Sequence, residues 1–242
     1  MNGRAVRDWL HRAVYGSVNP VARFLIRTGL TPNAVTLMGL ILSICVTGVF
    51  IAGALPSNRD QLGYVGWAGA LILFAGFFDL LDGQVARLGN MRSTFGAMLD
   101  SVIDRYSEIF IFLGICYYLV AHQRLLSALL AFLALCGSMM VSYTRARSEG
   151  LGAACSDGLM QRPERIILLG LSAIACGSAS ALTGSTYTIV INGLPFHVFE
   201  PIFIFTFPLA LMALLTNITA INRLRHAKKA FAASEKLYET GC

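Results

Sequence analysis

Charge is the scarcest property of this sequence. Only 13% of its 242 residues are Asp, Glu, Lys or Arg, while 56% are hydrophobic. Soluble globular domains carry about 25% charged residues, so the deficit excludes an ordinary water-soluble chain. No CxxC pair occurs. Cys45, Cys116, Cys136, Cys155, Cys176 and Cys242 read as small buried hydrophobes, which removes zinc and redox-motif readings. His11, His122, His197 and His226 are scattered and read as interfacial polar residues, not ligands. No fixed-period repeat or low-complexity tract is evident. The first thirty residues lack a compact apolar core followed by a small-residue cleavage site, so no cleavable signal peptide is expected. The net charge is +6, but the basic residues stand at the ends of apolar runs and do not interleave with aromatics. That distribution excludes nucleic acid as a partner and suits a membrane and anionic ligands.

What the sequence has in abundance is long apolar runs. A membrane-spanning helix needs about 20 mostly apolar residues, and six runs qualify: 33–55, 64–88, 95–121, 124–147, 163–183 and 199–221. The expected fold is all-α, a polytopic membrane protein of six transmembrane helices. Leu30-Thr31-Pro32-Asn33 supplies a helix start, with Pro at the opening of the first run. Before it, Val6, Trp9, Leu10 and Val14 alternate with Arg4, Arg7 and Arg12, the pattern of an amphipathic helix on the membrane surface. Asn192-Gly193 is a turn signal and allows a short hairpin before the sixth run. Three segments are expected: an amphipathic 1–30, a membrane domain 31–222 and a basic tail 223–242.

Lys and Arg set the orientation. Arg4, Arg7, Arg12, Arg23 and Arg27, then Arg87 and Arg92, then Arg145, Arg147, Arg162 and Arg165, then Arg223, Arg225, Lys228, Lys229 and Lys236 all fall on one side of six spans. Only Arg59 and Arg124 fall on the other. Both termini and the charged loops are therefore expected in the cytoplasm, with the chain in the cell (inner) membrane.

The apolar runs carry residues that lipid penalises. Asp79, Asp82, Asp100, Asp104 and Glu108 lie in the second and third runs, and intramembrane carboxylates are usually retained for function. Asp79 and Asp82 are three apart, and Asp100, Asp104 and Glu108 are four apart, so each set shares a helix face. Antiparallel packing of adjacent helices brings the faces together. Carboxylates converging in a low dielectric repel one another, and a divalent cation relieves the repulsion. Oxygen-only donors select Mg²⁺, Mn²⁺ or Ca²⁺ over zinc, and four carboxylates can hold two ions. Salt bridges to Arg87, Arg92 and Arg105 are the competing account for one or two of the acids. Around the connecting loop, Gly83 directly after Asp82 lets an anionic ligand approach backbone. Arg87 offers a planar fork for phosphate, Ala86 is small, and Ser93 and Thr94 offer hydroxyls.

Residues 79–104 read DLLDGQVARLGNMRSTFGAMLDSVID. This resembles the D-x2-D-G-x2-A-R-x8-G-x3-D-x3-D motif of the CDP-alcohol phosphotransferase (CDP-alcohol phosphatidyltransferase) family. Asp79, Asp82, Gly83, Ala86, Arg87, Gly96, Asp100 and Asp104 fill every fixed position. The resemblance implies a six-span enzyme with a pocket open to the cytoplasm, usually a homodimer. It transfers a phosphatidyl group from CDP-diacylglycerol to an alcohol and releases CMP. By the same resemblance, Asp79, Asp82 and Asp100 are ligands of a two-metal site, with Mg²⁺ or Mn²⁺ as cofactor. Asp104 is the general base and also touches the second metal. Gly83, Arg87 and Ser93 contact the CDP headgroup together with Ala86 and Gly96, and Asn33 and Thr36 belong to a segment that helps hold the nucleotide.

The acceptor is read from the fourth polar break. Arg145, Arg147, Arg162 and Arg165 put four guanidinium groups on the same side as the aspartates, and bidentate guanidinium contacts suit a phosphorylated alcohol. Ordinary placement of arginines in cytoplasmic loops, and ion pairs such as Arg145 with Glu149, are the plainer account. The runs Leu99-Asp100-Ser101 to Asp104-Arg105 and Ser142-Tyr143 to Glu149-Gly150 resemble the phosphatidylinositol-phosphate and archaetidylinositol-phosphate synthases. That branch implies inositol 1-phosphate as acceptor, although Arg145 stands where many members have Lys. A phosphatidylglycerophosphate synthase using glycerol 3-phosphate ranks second, because Ser101 and Arg105 replace the Pro and Lys usual there. A cation-coupled transporter is the reading from a different class. It expects charges at mid-membrane depth, whereas these acids cluster at one face.

Overall fold

The computed structural model describes residues 16, 18–58, 61–153, 160–183 and 200–239. Among them the structure is helical, with no strand. Six long helices are labelled α1 (Pro32–Ala54), α2 (Gly63–Leu88), α3 (Thr94–Ala121), α4 (Leu125–Gly150), α5 (Arg162–Thr183) and α6 (Phe203–Glu239). A helical segment over 18–27 precedes them. The basic and apolar residues of 4–14 and the Asn192-Gly193 turn lie outside the described residues.

Local chemistry sets the helix starts that matter for the site. Thr31 caps α1 by accepting from the Ala34 amide at 3.4 Å, and Pro32 occupies the first turn, where its missing N–H costs nothing. Ser93 caps α3 by accepting from the Gly96 amide at 2.9 Å. Between α2 and α3 the chain turns through Asn90 at φ 52°, a left-handed position that Asn tolerates. The Met91 amide closes the turn on the Ala86 carbonyl at 3.0 Å. This short link holds the ends of α2 and α3 side by side.

Packing is pairwise: α1 against α2 and α3, α2 against α5, and α4 against α6. The core joins Phe50, Phe112, Ile115, Tyr118, Phe205 and Leu209, and the Phe50 and Phe205 rings stack at 6.2 Å. The α2–α5 contact is close because Gly66 faces Gly177. A β-carbon on Gly177 would sit 2.6 Å from the Gly66 Cα. A smaller cluster of Val18, Ala22, Val35, Leu81 and Val85 docks the 18–27 segment on α1 and the end of α2, with Arg23 and Arg27 left exposed.

Outside this core the bundle is apolar. Trp67, Leu126 and Phe207 are each more than 70% exposed, as expected where lipid is the solvent. Five described helices are long and apolar enough to cross a membrane: α1, α2, α4, α5 and Phe203–Ala232 of α6. The chain is a multi-pass membrane protein. The remaining helix, α3, is 28 residues long and carries Asp100, Asp104, Arg105 and Glu108. The sixth expected run, 199–221, differs most: its helix begins at Phe203 and continues without a break to Glu239. Hydropathy marks where lipid ends, while Ala, Lys and Glu beyond it keep the helix going.

Candidate active site

The link between α2 and α3 opens on a cavity of about 330 Å³. Asn33, Thr36, Gly83, Ala86, Arg87, Ser93 and Gly96 all line it, with Arg92, Asp82 and Asp100. Every residue assigned to the nucleotide from sequence is thus brought to one place, although α1 and the 83–96 stretch lie far apart in the chain. Gly83 matters here: a β-carbon on it would meet nothing of the protein within 4 Å. Its bare backbone faces open space that a ligand can approach.

Asp79, Asp82 and Asp100 stand next to this cavity. Each offers a carboxylate oxygen, and the three oxygens lie within 4.8 Å of one another. Two full charges at that separation repel by roughly 3.5 kcal/mol at an effective dielectric of about 20. Asp82 is buried, and the Thr36 hydroxyl donates to its Oδ2 at 2.8 Å. A donor set made only of clustered carboxylate oxygens fits a hard divalent cation and no thiophilic one.

Asp104 stands one turn beyond Asp100 and lies outside that three-acid cluster. Its Oδ1 is 2.9 Å from Arg162 Nη2, which also reaches Asp79 Oδ1 at 3.3 Å. Arg162, at the start of α5, therefore bridges the acids of α2 and α3.

A second cavity, of about 340 Å³, lies on the far side of Asp104. Arg145, Arg162, Arg165 and Arg223 line it, with Asp104, Glu108 and Ser142. Arg145 also pairs with Glu149 at 2.9 Å. Arg147 is exposed and does not line the cavity. Arg165 does, but it is only 2% exposed, and its Nε and Nη2 are 2.9 and 3.3 Å from the two Glu108 oxygens. Sequence reasoning placed Arg223 in the tail, yet it is buried and donates to the Val141 carbonyl at 2.7 Å. An arginine just past an apolar run, on a helix that does not stop, was the available signal. A narrow cleft of about 30 Å³ shares Thr36 and Asp82 with the first cavity and Asp104, Arg162 and Arg165 with the second, and continues among apolar residues such as Ile72, Ile111 and Phe112. The aspartates thus stand between a cavity at the α2–α3 link and one lined by Arg145, Arg162, Arg165 and Arg223.

The model of the family described as CDP-alcohol phosphatidyltransferase matches residues 29–233. The phosphatidylinositol phosphate synthase of Mycobacterium tuberculosis (strain H37Rv) is 35% identical over 163 residues, which cover 66% of this chain and 71% of that protein. The crystal structure of the M. tuberculosis synthase in complex with manganese and citrate aligns with a TM-score of 0.66 at 28% identity, covering 87% of this chain and 88% of that one. The same synthase with CDP-DAG bound aligns with a TM-score of 0.65 at 29% identity, covering 87% and 92%.

Proposed function

The chain belongs to the CDP-alcohol phosphatidyltransferase family, and from that premise we propose that it moves a phosphatidyl group from CDP-diacylglycerol to inositol 1-phosphate, releasing CMP. It is a membrane transferase of phospholipid biosynthesis. The observation that carries the assignment is the placement of the aspartates: Asp82 and Asp100 line the cavity at the α2–α3 link, and Asp104 lines the arginine-lined one. Donor and acceptor can then meet at the cluster.

Asp79, Asp82 and Asp100 hold the metal, with two ions, Mg²⁺ or Mn²⁺, as the proposed complement and Asp104 touching the second. Bound there, divalent cations neutralise the donor pyrophosphate and stabilise the departing CMP. Thr36 orients Asp82 through its hydroxyl. Gly83, Arg87 and Ser93 seat the cytidine diphosphate group, with Asn33, Thr36, Ala86 and Gly96 completing the wall. Asp104 accepts the proton of the acceptor hydroxyl as that oxygen attacks the lipid-side phosphorus. Arg145 and Arg162 receive the acceptor's phosphate, Arg147 adds positive potential from outside the cavity, and Arg165 adds its buried charge from the cavity wall. Most of the acceleration comes from positioning and charge neutralisation.

In this account all six helices cross the membrane, α3 included, because its acids turn inward to the cluster while Met98, Val102, Ile109 and Leu113 make its exposed face apolar. The 1–30 segment lies amphipathically on the cytoplasmic surface of the inner membrane. The charged loops, both termini and the site face the cytoplasm, and the enzyme works as a homodimer. The test is a panel assay with purified protein, CDP-diacylglycerol and four acceptors: inositol 1-phosphate, glycerol 3-phosphate, serine and inositol. Fastest CMP release with inositol 1-phosphate supports the assignment. Fastest release with glycerol 3-phosphate moves the enzyme to the phosphatidylglycerophosphate branch, and no release with any acceptor removes the transferase reading.

A further inference from the structure

Glu108 has no place in the reaction as described, yet it sits at the centre of a buried polar network. It continues the α3 face of Asp100 and Asp104 by one more turn. Its Oε1 accepts from Arg165 Nε at 2.9 Å and from the Ser138 hydroxyl at 2.7 Å, and its Oε2 accepts from Arg165 Nη2 at 3.3 Å. Arg165 spends its Nη1 on the Met160 carbonyl at 2.9 Å, in the segment that leads into α5. Met160 itself adopts φ 64°, a left-handed conformation unusual for its side chain, so that carbonyl is held where the chain does not drift by itself.

The network ties three helices together at the wall of the arginine-lined cavity. Glu108 belongs to α3, Ser138 to α4 and Arg165 to α5. Each tie leads to a cavity residue. Ser138 is two turns before Arg145 on α4, and Arg165 is one turn after Arg162 on α5. Arg223 of α6 is fastened to the same stretch of α4 through the Val141 carbonyl. Burying a guanidinium and a carboxylate is costly and is weak evidence of a gain in stability, so a specifying role is the better account of why they are there.

We propose that Glu108 is a positioning residue for the acceptor: through Arg165 and Ser138 it fixes the separation of Arg162 and Arg145 across the cavity that receives the acceptor's phosphate. Glu108 stands in the cavity wall, but both its oxygens are taken up by Arg165 and Ser138, so it acts through those partners. The inference rests on the acceptor assignment made above, and it makes Arg165 an anchor whose Nε, Nη1 and Nη2 each already have a partner. The donor cavity shares neither Glu108 nor Ser138 nor Arg165, so the larger effect falls on the acceptor, with Arg162 and its contact to Asp79 as the one link to the metal site.

The experiment is steady-state kinetics on the full chain in detergent, with CDP-diacylglycerol and inositol 1-phosphate, for Glu108→Asp and Ser138→Ala. Each variant loses reach or one hydrogen bond at the network and keeps the remaining partners. The expected result is a rise in KM for inositol 1-phosphate of roughly tenfold in Glu108→Asp and a few-fold in Ser138→Ala, the scale of one or two altered hydrogen bonds. KM for CDP-diacylglycerol should stay near the unaltered value, and the thermal midpoint of Ser138→Ala should fall modestly, since a buried hydrogen bond to a carboxylate is lost. A purely structural role predicts instead that both KM values hold and only the midpoint falls. Should Glu108→Asp fail to fold, Ser138→Ala decides alone. Unchanged acceptor KM in the folded variants overturns the inference while leaving the transferase assignment intact. Absence of CMP release by the unaltered protein overturns both.

Discussion

The Thr36 hydroxyl lies 2.8 Å from Asp82 Oδ2, joining the first turns of α1 to the acid cluster across 46 residues of sequence. The same hydroxyl reaches the Pro32 carbonyl at 3.1 Å. Partners of this kind orient metal-ligating carboxylates, and their loss typically lowers metal affinity by about 10–100-fold. Thr36→Val should therefore raise the Mg²⁺ or Mn²⁺ concentration giving half-maximal CMP release by that order, while Thr36→Ser stays near the unaltered protein. A metal titration of activity decides it, and identical titration curves for all three proteins would remove the orienting role.

Gly83 offers a test of the donor cavity that the fold itself hardly feels. A methyl group there meets no protein atom within 4 Å, and Ala is favoured over Gly inside a helix by about 1 kcal/mol. Gly83→Ala should keep or raise the thermal midpoint and raise KM for CDP-diacylglycerol. An unaltered donor KM would show that the nucleotide sits elsewhere.

Asp104→Asn keeps the side chain's shape and removes its ability to take a proton. With Asp104 as general base, turnover should fall by about 10²–10⁴-fold while the protein remains folded and still binds CDP-diacylglycerol. Near-normal turnover would transfer the role of base to another group.

The two arginines of α5 should separate. Arg162 bridges Asp79 and Asp104 and is partly exposed, so Arg162→Ala should raise the KM for inositol 1-phosphate with a small change in thermal midpoint. Arg165 is buried against Glu108. Removing one member of such a pair costs about 3–5 kcal/mol, so Arg165→Ala should lower the midpoint markedly. Equal destabilisation by both substitutions would contradict the division of labour.

Much of this architecture is legible from the chain alone. Hydropathy places α1, α2, α3 and α5 within a residue of their ends, because caps and polar breaks coincide with the ends of apolar runs there. It fails at α4 and α6, which run beyond the apolar stretch as helix-favouring residues continue. The aspartates are legible through their spacing, since positions three and four apart must share a helix face. What spacing cannot give is the partner of a charge. Arg162 and Arg165 look alike in sequence, yet one bridges two aspartates and the other is sealed against Glu108. Arg223 reads as part of a basic tail, whereas α6 carries it into the cavity wall. The Thr36–Asp82 bond is equally invisible, because nothing local to either residue specifies the other.

The central claim is that the carboxylates of α2 and α3 work by holding divalent cations at the reacting phosphate. The most direct measurement is CMP release from CDP-diacylglycerol by purified protein, first stripped with a chelator and then resupplied with Mg²⁺ or Mn²⁺, in parallel with Asp82→Asn and Asp100→Asn. The account predicts no release after stripping, recovery with either ion, and no recovery in the two variants. Release that persists without metal, or recovery undiminished in the variants, would contradict it.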